Sequence, residues 1–194
     1  GSEMCIRDRG NVCFKLFDYE TALTLYKKVF VLNPDNKIVA ICIGNTLTLM
    51  REREKAYNYF EKALKMEGDN YKAYICYAIA LSEFGEYDMA VAMYEKAQSV
   101  KPAEIEAQVL RANLYTNFNH LDKAMELYKE AIRLKPNSAL TYMLLGNAHY
   151  LKGEVEQAIA SYRASINISP ENDEYRLVYT CLLYTSPSPR DISG

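Results

Sequence analysis

One spacing governs this chain. Pro34, Pro102, Pro136 and Pro170 fall on a single grid of 34 residues, and the vacant node of that grid holds another helix breaker, Gly68. Alanine keeps the same spacing without a miss at Ala22, Ala56, Ala90, Ala124 and Ala158. A third column is aromatic, Tyr26, Phe60, Tyr94, Tyr128 and Tyr162, and a fourth is mostly small, Val29, Ala63, Ala97, Ala131 and Ser165. A fifth is small again: Gly44, Ala78, Ala112 and Gly146. Agreement of five columns on one period marks a repeat array, in which each unit buries its apolar face only against its neighbours.

Each repeat reads as two helices. Segments such as LDKAMELYKEAIRLKP (121–136) place apolar residues three and four apart, the pattern of an amphipathic helix. The alanine columns lie on that stripe, where a short side chain lets a neighbouring helix come close, and the aromatic column fills the remaining space. Proline ends the second helix by pushing the preceding residue out of helical geometry. Gly85 and Gly153, with Asn119 as their left-handed-tolerant substitute, break each repeat in the middle. The spacing predicts helices over 19–32, 37–50, 53–66, 71–84, 87–100, 105–118, 121–134, 139–152 and 155–168. Each is about 14 residues and so roughly 20 Å long. No strand is expected, and the alanines at 56, 90, 124 and 158 should be almost fully buried.

The two ends depart from this pattern. One codon choice for CLLYTSPSPRD, residues 181–191, has a reverse complement that encodes GSEMCIRD in a shifted frame, and GSEMCIRD is residues 1–8. Both ends therefore resemble a transposase-type sequencing-library adaptor translated in frame. Residues 1–9 and 181–194 are set aside on that ground, and 10–180 is read as an internal fragment of a longer protein whose native N-terminus lies outside it. Residues 1–9 are expected to be helical by accident, standing in for part of a lost first helix. At the other end Tyr175, Val178 and Tyr179 are expected to pack on the helix at 155–168. Cys181, Leu182 and Leu183 could prolong that last segment, and the chain should be extended from Ser186, where Pro187 and Pro189 bar a helix.

Composition narrows the function classes. A net charge of −2 gives no general attraction to polyanions, so nucleic acid is not an expected partner. No apolar run approaches the length of a membrane span. With Cys5 and Cys181 set aside, Cys13, Cys42 and Cys76 are odd in number and widely spaced. That pattern fits buried thiols in a reducing compartment such as the cytoplasm better than a disulfide framework.

A 34-residue helix–turn–helix carrying LLGNAHYLKGEVEQAIASYRASINISP (144–170) resembles the tetratricopeptide repeat. The likeness covers a partial repeat over 10–36, full repeats at 37–70, 71–104, 105–138 and 139–172, and the start of another at 173–180. Arg51 and Arg53 stand where the family has a turn glycine and an aromatic, and Gly68 stands for the proline. The resemblance implies an all-α, right-handed superhelical solenoid with the first helix of every repeat lining a concave groove. It also implies a protein-interaction scaffold that takes a peptide or helix of a partner in that groove. An alternative stays open: a substrate- or partner-selecting arm of a larger enzyme, such as a glycosyltransferase or kinase, whose catalytic domain lies outside the fragment.

On this alignment Ile41, Ile75, Val109 and Met143 form an apolar strip along the groove. Beside it run Asn45, Ile79, Asn113 and Asn147, preceded by Asn11, then Thr48, Ser82, Thr116 and Tyr150, then Leu49, Glu83, Asn117 and Leu151. An asparagine both donates and accepts, so a ladder of them can bond the backbone of an extended ligand. The opposing reading is that these amides satisfy neighbouring helices or face solvent. Chaperone-binding relatives clamp a C-terminal carboxylate with Lys and Arg. Here those places fall on Ile41, Glu106 and Leu110, or on Ile75, Leu140 and Leu144; the window that retains Asn11 and Lys72 offers Cys42 and Cys76. The converging cations such a clamp needs are missing, so chaperone tails are not expected partners.

No catalytic residue, metal site or cofactor is expected. His120 and His149 sit on different helices without a carboxylate or cysteine at ligand spacing, and His149 reads as a satisfied core histidine. No phosphate-cradling glycine loop and no His-Glu-x-x-His occurs. Cys42 and Cys76, equivalent on successive first helices, have no base to activate them.

Overall fold

The computed structural model describes residues 2–173 and Leu177, and among these the regular structure is helical throughout. The helices are α1 (Glu3–Lys15), α2 (Tyr19–Leu32), α3 (Lys37–Leu49), α4 (Arg53–Lys65), α5 (Tyr71–Glu83), α6 (Tyr87–Val100), α7 (Glu106–Asn117), α8 (Leu121–Leu134), α9 (Ala139–Leu151) and α10 (Val155–Ile168). The bounds expected for α2, α6, α8 and α10 hold, and the other predicted helices stop one residue sooner at the turn, α7 also starting one later. Residues 3–9 are helical, as expected of that end. The packing expected of Tyr175, Val178 and Tyr179, and the conformation expected of 181–194, lie outside the described residues.

The chain divides into two compact units at the grid proline Pro102. In the N-terminal unit, α1 and α2, α3 and α4, and α5 and α6 pair as antiparallel hairpins; α2 also packs on α3, α4 on α5, and α3 on α5. In the C-terminal unit α7 pairs with α8 and α9 with α10, while α9 packs on both α8 and α7.

The turn inside each hairpin is built the same way five times. Phe17, Arg51, Gly85, Asn119 and Gly153 all have positive φ, from 60 to 83°. In each case the next residue donates its N–H to a carbonyl five residues back: Asp18 to Cys13, Glu52 to Leu47, Glu86 to Leu81, His120 to Tyr115 and Glu154 to His149, at 2.8–3.0 Å. This closes the last turn of the first helix and reverses the chain. Asn119 takes the left-handed conformation as expected. Arg51 and Phe17 take it too, although a side chain costs about 1–2 kcal/mol there. At Arg51 the guanidinium reaches across to the next hairpin, donating to the Glu83 carbonyl at 3.1 Å and pairing with its carboxylate at 3.5 Å. Arg53 pairs likewise with Glu86. The two arginines that break the family pattern thus tie one turn to the next. Gly68, at φ 98°, ends the α4 segment in place of the grid proline.

Packing follows the columns. Ala22, Ala56, Ala90, Ala124 and Ala158 are all 0% exposed. The aromatic rings lie flat against the small column of the partner helix: a Cβ added to Gly10, Gly44 or Gly146 would stand 2.7–2.8 Å from the ring of Tyr26, Phe60 or Tyr162. His149 is buried, and its Nδ1 lies 2.6 Å from the carboxylate of Glu154, the residue just before α10. Lys152 pairs with both Glu154, at 2.9 Å, and Asp122 at the start of α8, at 2.7 Å. The Lys152 ammonium, then His149, hold the Glu154 carboxyl below the usual carboxylate range, and the hydrogen bonds Lys152 donates to Asp122 and Glu154 raise Lys152.

Two stability measurements check this packing. Ala124→Leu should overpack the α7–α8 core and lower stability by about 1–3 kcal/mol in urea melts; an unchanged midpoint would remove the packing role of that column. For Glu154 the folded pKa lies below the unfolded one, so its contribution is present above the unfolded value and is lost as pH falls through the folded one. The difference in urea midpoint between the wild type and Glu154→Gln should therefore shrink as pH drops from roughly 7 to roughly 3. A constant difference would show that the carboxylate charge does not matter there.

Candidate functional site

The face predicted to hold a ligand is carried by the first helix of each hairpin: α1, α3 and α5 in the N-terminal unit, α7 and α9 in the C-terminal unit. Their other faces are spent on packing against second helices. What remains is narrower than the sequence implies. Ile41, Ile75 and Val109 are only 7, 2 and 8% exposed, so the apolar strip is corrected over these positions: it belongs to the helix-packing core and supports the face from beneath. Met143 is half-buried and packs against the Ala158 and Tyr162 cluster. Thr48 is also buried, its hydroxyl donating to the Gly44 carbonyl one turn back at 2.9 Å, and Thr116 does the same to Ala112 at 3.0 Å. By contrast Ile79 and Tyr150 are open to solvent at 40 and 48%.

The asparagines are held by the aromatic column. The Tyr26 hydroxyl donates to Asn11 Oδ1 at 2.8 Å, that of Tyr162 to Asn147 Oδ1 at 2.6 Å, and that of Tyr128 to Asn113 Oδ1. Each pair joins a second-helix ring, anchored in the core, to a first-helix amide fifteen residues earlier. Burial pushes the phenols of Tyr26, Tyr128 and Tyr162 up to about 12, which keeps them protonated as donors. A bond that takes up Oδ1 fixes the amide and leaves Nδ2, a pair of N–H donors. Among the described residues no protein acceptor bonds Nδ2 of Asn113 or Asn147. The sequence reading missed this link because it compared columns within one helix, whereas the signal is that Asn and Tyr occur together fifteen residues apart.

The other two repeats show the rule by breaking it. Where Ile79 replaces asparagine, the side chain near the Tyr94 hydroxyl is Ser82, whose own hydroxyl donates to the Ala78 carbonyl at 2.9 Å. Where Phe60 replaces tyrosine, Asn45 has no hydroxyl to hold it, and its Nδ2 lies 3.7 Å from Cys76 Sγ. Asn45 also lines a hollow of about 250 Å³ with Phe14, Thr48, Leu49, Cys76, Ile79, Ala80 and Glu83. The hollow brings together five expected groove residues, Asn45, Thr48, Leu49, Ile79 and Glu83. Phe14, its aromatic wall, was not anticipated, although it stands in the column of Thr48, Ser82, Thr116 and Tyr150.

The remaining chemistry is sparse. None of Cys5, Cys13, Cys42 and Cys76 is in a disulfide, and the last three are half-buried. Burial, then the neighbouring Cys76, pushes the Cys42 thiol up to about 11, away from the thiolate a nucleophile needs. Among the described residues no three His, Cys, Asp or Glu side chains gather where they could share a metal ion. Nor, among them, is any helix long and apolar enough to cross a membrane.

Comparison with known proteins agrees with this geometry. Family models described as tetratricopeptide repeat or TPR repeat match residues 47–114, 112–153 and 139–172. No curated protein matches the sequence. Among solved structures, a thermophilic TPR protein of Thermus thermophilus is similar at 18% identity and a TM-score of 0.75, over 94% of this chain and 100% of its own. PilF of Pseudomonas aeruginosa is similar at 16% identity and a TM-score of 0.74, over 94% and 83%. YrrB, described as a TPR protein with an unusual peptide-binding site, is similar at 19% identity and a TM-score of 0.63, over 92% of each chain. At these identities the likeness is one of fold. Taken together, the matched segments run without a gap from residue 47 to residue 172, and over that span the chain is built of tetratricopeptide repeats.

Proposed function

We propose that this chain is a non-catalytic interaction module that holds an extended peptide or helix of a partner protein against its first helices. The observation that carries this reading is the state of Asn113 and Asn147. Each amide is fixed by a buried tyrosine and left with its donors unused by the protein, so the face offers oriented N–H groups to a chain of carbonyl acceptors. Fixed donors lose little freedom when a ligand binds, which is where a weak contact gains most. Tyr150, open to solvent beside Asn147, adds apolar area for a ligand side chain. The family's general role in protein–protein contact supports the same reading, and so does the peptide-binding site named for YrrB. Residues 10–180 are the native array in this proposal, with 1–9 and 181–194 adding nothing to recognition.

The test uses a peptide array. The chain trimmed to 10–180 should select the same peptides as the full chain. Changing Asn113 and Asn147 together to alanine should reduce binding, but it also strips the tyrosine hydroxyls of their acceptor, at a stability loss of about 1–3 kcal/mol each. The double change to aspartate is cleaner, because it keeps the acceptor and deletes the donors. It should abolish peptide binding while the thermal midpoint stays near that of the wild type. Undiminished binding by both double variants would leave the asparagines as scaffold only.

A further inference from the structure

We propose that Phe60 sets the ligand preference of the N-terminal unit: lacking a hydroxyl, it leaves both ends of the Asn45 amide open to a ligand's peptide group, next to a hollow that takes that ligand's apolar side chain. This rests on the peptide-holding reading and adds where the apolar residue goes and what selects it.

Phe60 occupies the place of Tyr26, Tyr128 and Tyr162, in the same contact with a small residue, Gly44, on the partner helix. In those three repeats the phenol takes up the asparagine Oδ1. At Phe60 it cannot, and among the described residues no protein donor bonds Asn45 Oδ1. The one contact of this amide, to Cys76 Sγ at 3.7 Å, is to a weak acceptor that a carbonyl would displace. Asn45 therefore presents a donor and an acceptor side by side, the complement of a backbone N–H and C=O in an extended peptide. Asn113 and Asn147 present their donors, with Oδ1 already accepting from a phenol.

The surroundings fix the rest of the occupant. Phe14, Leu49, Ile79, Ala80 and Cys76 wall the hollow, and Thr48 turns its hydroxyl inward to Gly44, so the lining available to a ligand is mostly apolar. Its charged member, Glu83, is engaged by Arg51. A volume of about 250 Å³ suits one large side chain such as Leu, Met or Phe, and a charged side chain would lose water there against mostly apolar walls. The ligand is thus an extended peptide segment whose backbone bonds Asn45 and whose neighbouring apolar residue enters the hollow.

The experiment measures binding of an array of N-acetylated, C-amidated peptides, each with a single Leu, Met, Phe, Ser or Asp in a Gly–Ser background. The full chain, Phe60→Tyr, Phe60→Leu, Asn45→Ala and the Asn113→Asp/Asn147→Asp pair are compared, with thermal melts alongside. The Leu, Met and Phe peptides should bind the wild type and shift the Asn45 side-chain amide resonance. Phe60→Tyr, which restores the hydroxyl found in the other repeats, should lose at least tenfold in affinity without a lower melting temperature, and so should Asn45→Ala. Phe60→Leu, which adds no hydroxyl, should keep its selectivity and its Asn45 response. Wild-type affinity in Phe60→Tyr, or equal losses in Phe60→Tyr and Phe60→Leu, overturns the inference. If binding falls in the aspartate pair alone, the peptide-holding reading stands and the role of Phe60 fails; if no peptide binds the wild type, both fail.

Discussion

The contact on which everything else depends is a flat aromatic ring against a helix that has almost no side chain there. Tyr26, Phe60 and Tyr162 sit so close to Gly10, Gly44 and Gly146 that a β-carbon would overlap the ring. That contact sets how near the two helices of a hairpin approach. The fully buried alanines at 22, 56, 90, 124 and 158 then let the other surfaces close to the same depth. Because the ring is clamped at its face, the position of its para carbon is fixed as well, and so is the place where a hydroxyl would end. Core packing thereby delivers a polar atom to one chosen point on the first helix.

At that point stands an asparagine. In three repeats the hydroxyl and the amide meet, so a single tyrosine serves the core with its ring and the surface with its oxygen. The arrangement explains why burial of these three phenols is tolerated: each finds an acceptor. It also means that the exposed face is not independent of the interior. An amide that looks like a free surface group is oriented by a ring that no ligand touches.

Much of this was legible in the sequence, and the reason is the period. Breakers at Pro34, Pro102, Pro136 and Pro170 bound the helices to within a residue, and the alanine column located the core, because a repeat shows each constraint several times over. Two things escaped. The left-handed turn at Phe17 and Arg51 carries no local signal, since neither residue favours that conformation; there the repeat geometry overrides propensity, and at Arg51 the ties to Glu83 help to hold it. The burial of Ile41, Ile75 and Val109 escaped because period alone does not say how far a helix is turned toward its neighbours. A rotation of a few tens of degrees moves a residue one position from the stripe between groove and core, and packing sets that angle.

The coupling of ring to amide gives a repeat protein a way to vary its surface from within. Exchanging Phe for Tyr at position 60, a fully buried site, adds only a hydroxyl, yet in this proposal it decides whether Asn45 is a fixed donor or an open donor–acceptor pair. A direct surface change would alter the ligand contact and its solvation together. The interior change alters only the freedom and polarity of a group already in place. Because each repeat touches only its neighbours, such a change stays local, so adjacent repeats can hold their amides in different states. The Tyr–Asn, Phe–Asn and Tyr–Ile combinations along this chain are three such states, and they make successive positions on one kind of scaffold chemically distinct.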